Sequence, residues 1–357
     1  MLEEGTRRLR VGFIGCGGHA WRNVFPALQF APVELVATCD LDEARARRFA
    51  REFGAERSYT DFREMIGKER LEACYIVTGY DREGRPLHAE IAKECMQLGA
   101  HAWIEKPPSR TTAEIDDLIQ VSRETGKLTM VGFKKAFTPA ATHLKEVIGG
   151  ERFGRVSHAY IRYPLALLTE ADKSDPTSGR YLSFLDHIVH PASLLTYLFG
   201  PARRLLYRQS FNGAGWATIE FGGEVIVALQ CAAGQAATSF LERLEVVGEG
   251  ANITVDNGVK LTYYRPGGSR GAGGYGGATD YIGEVEAGPV RWEPEFSLGV
   301  QCNKALFLLG YAPEVAEFAR CLLEDRAPTR GGLEHARQVM AIFEAFLGPE
   351  GEWVAVE

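Results

Sequence analysis

The sequence predicts an α/β protein with an α+β extension: first a doubly wound parallel sheet, then an open, mostly antiparallel sheet with helices on one face. Three observations carry this. Short apolar runs alternate with amphipathic stretches up to about residue 133, and a glycine-rich turn joins the first such run to the first helical stretch. Beyond that point strand-like runs follow one another through short, turn-rich links. Alternation implies parallel strands buried on both faces, whereas consecutive strands imply antiparallel pairing. A chain of 357 residues agrees with two domains, expected at 1–133 and 134–357.

Taken in order, Leu9 to Ile14 reads as a strand, followed by a helix from Ala20 to Phe30 that Pro26 should kink or end, since proline has no N–H to donate. Val33 to Cys39 is a second strand closed by Asp40; Asp42 to Phe53 is a helix with Gly54 at its cap. The pattern repeats through strand Leu71–Thr78, helix His88–Leu98 and strand Ala102–Glu105. Thr111 and Glu114 have the spacing of a capping box opening a helix to Thr125, and Leu128–Phe133 closes the set. Later strands are expected at Val156–Tyr163, Ala217–Phe221, Val225–Cys231, Leu241–Val247 and Val259–Tyr264, with a hairpin turn over Phe221–Glu224. Helices are expected near Ser183–Leu198, Pro313–Leu323 and Leu333–Leu347. Residues 265–290, rich in glycine, read as a surface loop with a lid or subunit contact as the sharper alternative.

Composition narrows the partners. The net charge of −7, with both signs interspersed, argues against nucleic acid or an anionic membrane, which reward basic patches. No run approaches the roughly 18 apolar residues of a membrane span, and Met1 to Arg10 has no secretory apolar core. Seven scattered cysteines without a Cys-x-x-Cys pair fit reduced thiols in a cytoplasmic protein; no metal is expected.

Chemistry concentrates at three places. Gly15-Cys16-Gly17-Gly18-His19-Ala20 fits G-x-G-x-x-G/A between a strand and a helix, and the next strand ends in Asp40. In that context it is the fingerprint of a Rossmann dinucleotide site: backbone N–H groups at a helix N-terminus approach a pyrophosphate, and the acid accepts from ribose hydroxyls. Asp40 and Asp42 would repel a 2′-phosphate, so NAD(H) is expected over NADP(H), with Arg45, Arg47 and Arg48 as the counterweight. Glu105-Lys106-Pro107 ends a parallel strand, which aims Lys106 into the cofactor crevice; a cis Lys106–Pro107 bond is expected there. Asp186 and His190 are spaced to share one helix face, although Pro191 allows a helix boundary, and His187 points elsewhere as a structural residue. On spacing alone a structural Asp–His pair would serve as well as a catalytic one.

Together these features resemble the Gfo/Idh/MocA family (glucose–fructose oxidoreductase / inositol dehydrogenase-like oxidoreductases). The likeness runs through Val131-Gly132-Phe133, Asp186-x-x-x-His190 before the apolar run Leu194–Phe199, and a closing Gly351-Glu352-Trp353-Val354. It implies a Rossmann domain, an open-sheet domain for substrate and oligomer contacts in a homodimer or homotetramer, and Lys106, Asp186 and His190 as the catalytic set. The cofactor contacts expected are Gly15, Gly17, Gly18, His19, Asp40, Thr78, Glu105 and Lys106. Two departures stand out. Gly79-Tyr80 and a detour to His88 follow Thr78 where the family has Pro-Asn and a nearby histidine, and Ser193 stands where an aspartate is common.

Such a set suits hydride transfer between NAD(H) and a sugar, cyclitol or related polyol or keto compound. His190 would take the hydroxyl proton, Lys106 would favour developing alkoxide, and Asp186 would fix a second hydroxyl or orient the histidine. Lys134, Lys135 and Tyr163 are further candidates to line the substrate. Two competing readings are an NAD-dependent glycosidase using transient oxidation and a non-catalytic dinucleotide-binding regulator.

Overall fold

The computed structural model describes residues 7–236, 238, 241–266, 288–294 and 304–357, so most of the glycine-rich segment 265–290 lies outside the described residues. The first sheet has six parallel strands in the order β3-β2-β1-β4-β5-β6: β1 Leu9–Ile14, β2 Val33–Cys39, β3 Arg57–Tyr59, β4 Ala73–Ile76, β5 His101–Ile104 and β6 Thr129–Val131. Every residue of β4 is buried, as a central strand covered on both faces requires. Strand order reverses between β1 and β4, so the crevice where doubly wound sheets bind ligands opens at the carboxyl ends of those two strands.

Local chemistry explains most of these elements. Asp42 caps the helix Glu43–Phe53 by accepting from the Arg45 N–H, and Gly54 ends it at φ 79°. Thr111 and Glu114 form both bonds of the capping box. The helical stretch after β1 passes Pro26 and ends at Leu28. A π-turn over Ala20–Val24, closed by the Phe25 N–H on the Ala20 carbonyl, opens it, and Pro26 sits at the start of the α-turn Phe25–Leu28. The wider turn absorbs the register lost where proline offers no donor. Strand β3 and the helix Phe62–Glu69 are additions to the expected set; the strand has only three residues, too few to show a periodic pattern.

The second sheet has nine strands in the order β14-β13-β12-β11-β7-β10-β9-β8-β15. These are β7 His158–Tyr163, β8 Ala202–Gln209, β9 Gly215–Phe221, β10 Ile226–Cys231, β11 Arg243–Val247, β12 Asn252–Asp256, β13 Lys260–Tyr264, β14 Val290–Trp292 and β15 Val354–Ala355. All neighbours pair antiparallel except β7 and β10. The helix Gly179–Phe199 lies against this sheet and runs through Pro191 without a boundary. Twelve buried residues, Tyr181 to Leu198, hold it, which outweighs the backbone bond that proline deletes. Ser193 is fully buried there and donates its hydroxyl to the His190 carbonyl at 3.0 Å.

Two late helices tie the halves together. Tyr311–Leu323 returns to the first sheet, where the Tyr75 hydroxyl donates to the Val315 carbonyl at 3.2 Å and Phe318 packs edge-on to Tyr75. Leu333–Phe346 reaches across to the helix Thr112–Thr125: the Glu344 carboxylate accepts from the Thr112 N–H and hydroxyl at 3.0 and 2.8 Å. No described helix is long and apolar enough to cross a membrane.

Candidate active site

The glycine turn leaves β1 at Gly15, whose φ of 95° and close approach exclude other residues: a Cβ there would lie 2.0 Å from the Val77 carbonyl oxygen. Gly17 and Gly18 differ, since a Cβ on either would meet nothing within 4 Å. Their bareness therefore serves no internal packing; it leaves the backbone open on the crevice side, at the start of a helix, as a pyrophosphate needs. Asp40 closes the turn from below. One carboxylate oxygen accepts from the Cys16 N–H at 2.8 Å, and the other accepts from the Asp42 N–H at 2.9 Å. Of the three arginines behind it, only Arg45 approaches Asp40, at 3.6 Å; Arg47 pairs with Glu43 and Arg48 lies over the Trp21 ring.

Deeper in the crevice, the Lys106–Pro107 peptide is cis, as expected from the sequence. The Lys106 ammonium lies 2.7 Å from an Asp186 carboxylate oxygen and is 11% exposed, so the pair links the end of β5 to the helix Gly179–Phe199. Asp186 thus partners the lysine, and no hydrogen bond joins it to His190 among the described residues. His190 is buried on the same helix beside the Tyr163 ring. Burial, followed by the charges of Lys106, Lys134, Lys135 and His187, holds its pKa well below the ordinary 6.5, so the imidazole stays neutral.

Glu105 is buried with its carboxylate 3.5 Å from His19 Nε2 of the glycine turn, and neither that oxygen nor that nitrogen has a hydrogen-bond partner among the described residues. Burial alone would raise the Glu105 pKa, but His19, Lys106 and His88 together bring it below its ordinary value. Thr78 is held by His88: the Thr78 hydroxyl lies 2.9 Å from Nδ1, and burial pushes the histidine pKa down to about 4. The detour after Thr78 thus still delivers a histidine to it. Open glycine backbone, an acid at the end of β2 and unsatisfied buried groups on Glu105 and His19 all fit a dinucleotide lying across the switch point.

Three residues surround this set that sequence reasoning did not single out. Tyr311 accepts a hydrogen bond from the Lys134 ammonium at 2.9 Å and packs against His19, with ring centroids 5.8 Å apart. Glu242 pairs with Lys135 behind His190. Glu314, one turn beyond Tyr311, is wholly buried with both carboxylate oxygens unpartnered among the described residues. Burial and then Glu105 raise its pKa well above the ordinary carboxyl value, against the pull of Lys134 and Lys106. Its position in a helical pattern gave no cue, because a glutamate in a first helical turn ordinarily reads as a solvated dipole partner.

A doubly wound sheet with this crevice is the frame of a dinucleotide-binding domain. Residues 9–133 match the model of the Gfo/Idh/MocA group, described as an oxidoreductase family with an NAD-binding Rossmann fold. The match covers the first, dinucleotide-binding third of the chain. It is 23% identical over 346 residues to a dTDP-3,4-didehydro-2,6-dideoxy-alpha-D-glucose 3-reductase of Actinomadura kijaniata, covering 94% of this chain and 93% of the relative. It is 24% identical over 270 residues to a myo-inositol 2-dehydrogenase of Thermotoga maritima, covering 70% and 75%. The fold matches a crystal structure of a dehydrogenase from Chromobacterium violaceum with a TM-score of 0.76, at 22% identity over 95% of this chain and 94% of that one.

Proposed function

We propose that the chain oxidises or reduces a sugar, cyclitol or related polyol with NAD(H), using Lys106, Asp186 and His190. The observation that carries this is the half-buried Lys106–Asp186 pair set beside a neutral His190 at the mouth of the dinucleotide crevice. The relatives named for sugar reduction and inositol oxidation supply the substrate class. When bound, the nicotinamide accepts or gives the hydride. The protein's part is to manage the proton and the oxygen. His190, kept neutral, can take the hydroxyl proton, and the Lys106 ammonium favours the alkoxide that forms. Asp186 keeps that ammonium aimed and has an oxygen left to accept from a second substrate hydroxyl.

A cleft of about 520 Å³, lined by Leu165, Arg180, Ser183, His187 and Gln235, lies on the other face of the helix that carries Asp186 and His190, and neither of these nor Lys106 lines it. The cavity against His190 itself is only about 40 Å³, room for a water or two. An opening of about 790 Å³ lies at His101 and Thr129, the other end of β5 and β6, where doubly wound sheets do not carry their chemistry.

The same reading divides the chain at 133/134 into a cofactor domain and a substrate domain, places it in the cytoplasm, and makes it a homodimer or homotetramer. Exposed Trp216 and Ile226 on the large sheet support assembly through that face. The test is a panel of sugars, inositols and sugar acids assayed with NAD by absorbance of the reduced nicotinamide. Turnover with net NADH supports the proposal. Released sugar without net NADH would make the protein a glycosidase, and tight NAD binding without turnover a regulator.

A further inference from the structure

The segment after β4 is where this chain departs from the pattern of the family it resembles, and its structure is well pinned. Tyr80 and Pro86 form an antiparallel bridge, the Asp81 N–H donates to the Arg85 carbonyl at 2.9 Å, and the Leu87 N–H donates to the Gly79 carbonyl at 3.1 Å. The Asp81 carboxylate accepts from the N–H groups of Glu83 and Arg85 at 2.8 Å each. The tip of this hairpin is pressed onto the start of the helix that carries Asp186: at Gly84, with φ 74°, a Cβ would lie 2.5 Å from the Pro176 carbonyl oxygen. Arg110 adds a bond to the Glu83 carbonyl at 2.7 Å.

This scaffold holds Tyr80 with its ring against the core and its hydroxyl buried beside the Asp186 carboxylate, which faces it without closing a well-formed hydrogen bond. Burial first, then Asp186, raises the pKa of that phenol, so it keeps its proton beside an acidic neighbour. A buried hydroxyl without a well-formed bond costs about 1–3 kcal/mol, and such a group in a native protein calls for an explanation.

Resting on the polyol reading above, we propose that the Tyr80 hydroxyl is a further substrate-contacting group. It donates to the substrate hydroxyl that Asp186 accepts from, next to the carbon whose oxygen Lys106 holds. A hydroxyl both donates and accepts, so a donor–acceptor pair fits such a group, whereas a hydrogen or an ether oxygen at that carbon cannot serve both partners. The site then selects a vicinal diol or an α-hydroxy ketone over the corresponding deoxy compound.

The experiment compares wild type, Tyr80→Phe and Lys106→Met on a vicinal polyol and on its analogue lacking the hydroxyl next to the reacting carbon. In Tyr80→Phe, kcat/KM for the polyol falls about ten- to a hundredfold, the cost of one unmatched bond, and that for the deoxy analogue stays at the wild-type value. Its Tm is unchanged or higher, and its NAD affinity, read by fluorescence, matches wild type. An equal loss on both substrates, a loss accompanied by a lower Tm, or full wild-type selectivity overturns the role of Tyr80 while leaving the oxidoreductase reading in place. Failure of that underlying reading shows itself differently, as wild-type turnover in Lys106→Met.

Discussion

The two edges of the crevice are built on opposite rules. At the phosphate edge the groups that set the turn are paired: Asp40 bonds the Cys16 and Asp42 N–H groups, and the Gly15 N–H donates to the Cys39 carbonyl at 2.8 Å, which leaves the Gly17 and Gly18 backbone facing the crevice. At the reaction edge His19 Nε2, Glu105 Oε2 and the Tyr80 hydroxyl are buried without a well-formed hydrogen bond among the described residues. The first edge is finished before ligand arrives and confers affinity; the second keeps unmatched polarity that a bound ligand satisfies. Losses at the reaction edge should accordingly appear in turnover, and losses at the phosphate edge in cofactor choice and binding.

The largest separation between the edges is expected at Lys106. Lys106→Met keeps most of the stem and removes the donor, so kcat falls by about 10²–10³ while the Kd for NAD, measured by titration, stays near wild type. A variant in which NAD binding and kcat fall together would dissolve the distinction between the edges.

His190 sharpens the contrast through pH. As its folded pKa lies below 6.5, the neutral base persists through neutral pH, and the acid limb of kcat/KM for oxidation should fall below 6.5. His190→Asn should lower kcat by roughly 10² and remove that limb, with NAD affinity intact. An acid limb centred well above 6.5 would assign the base role to another group.

At the phosphate edge the expected effect is a change of preference. Asp40, with Asp42 behind it, repels a 2′-phosphate, so wild type prefers NAD over NADP in kcat/KM. Arg45, 3.6 Å from Asp40, is the residue positioned to soften this. Asp40→Ser should narrow the ratio of kcat/KM values, mainly through KM. A wild-type preference for NADP would reverse the reading of Asp40.

The smallest expected effect concerns stability. Glu314 has a folded pKa raised above its unfolded value, so between those values the folded state binds more protons and stability declines as pH rises. Glu314→Gln removes that titration, and the Tm difference between variant and wild type should shift in favour of the variant from pH 5 to 8. A pH-independent difference would show that Glu314 is already ionised in the folded state.

What the sequence disclosed follows from how local each feature is. The glycine turn, Asp40, Glu105-Lys106-Pro107 and the Thr111 capping box are contiguous or lie one supersecondary unit apart, and their chemistry is legible in a string. Strand β8, eight residues long, was not expected, because Ala202–Gln209 carries three arginines and lacks a clean alternation. Tyr80, Tyr311, Glu242 and Glu314 acquire meaning only when distant elements converge. Glu314 in particular looks like any first-turn acid until the first sheet closes over it. The Asp186–His190 spacing did predict a shared helix, yet the partner of Asp186 came from a lysine 80 positions away.

The return of Tyr311–Leu323 to the first sheet bears on how the protein can be cut. The helix's Val315 and Phe318 meet Tyr75 directly and share one core cluster with Phe13 and Trp103. A fragment ending at residue 133 would present that aromatic floor to water, and exposed patches of this kind promote aggregation. The smallest excisable cofactor-binding unit is therefore discontinuous. An engineer wishing to graft it would need to carry both the first 133 residues and this late helix, joined by a new linker, or supply the helix as a second peptide.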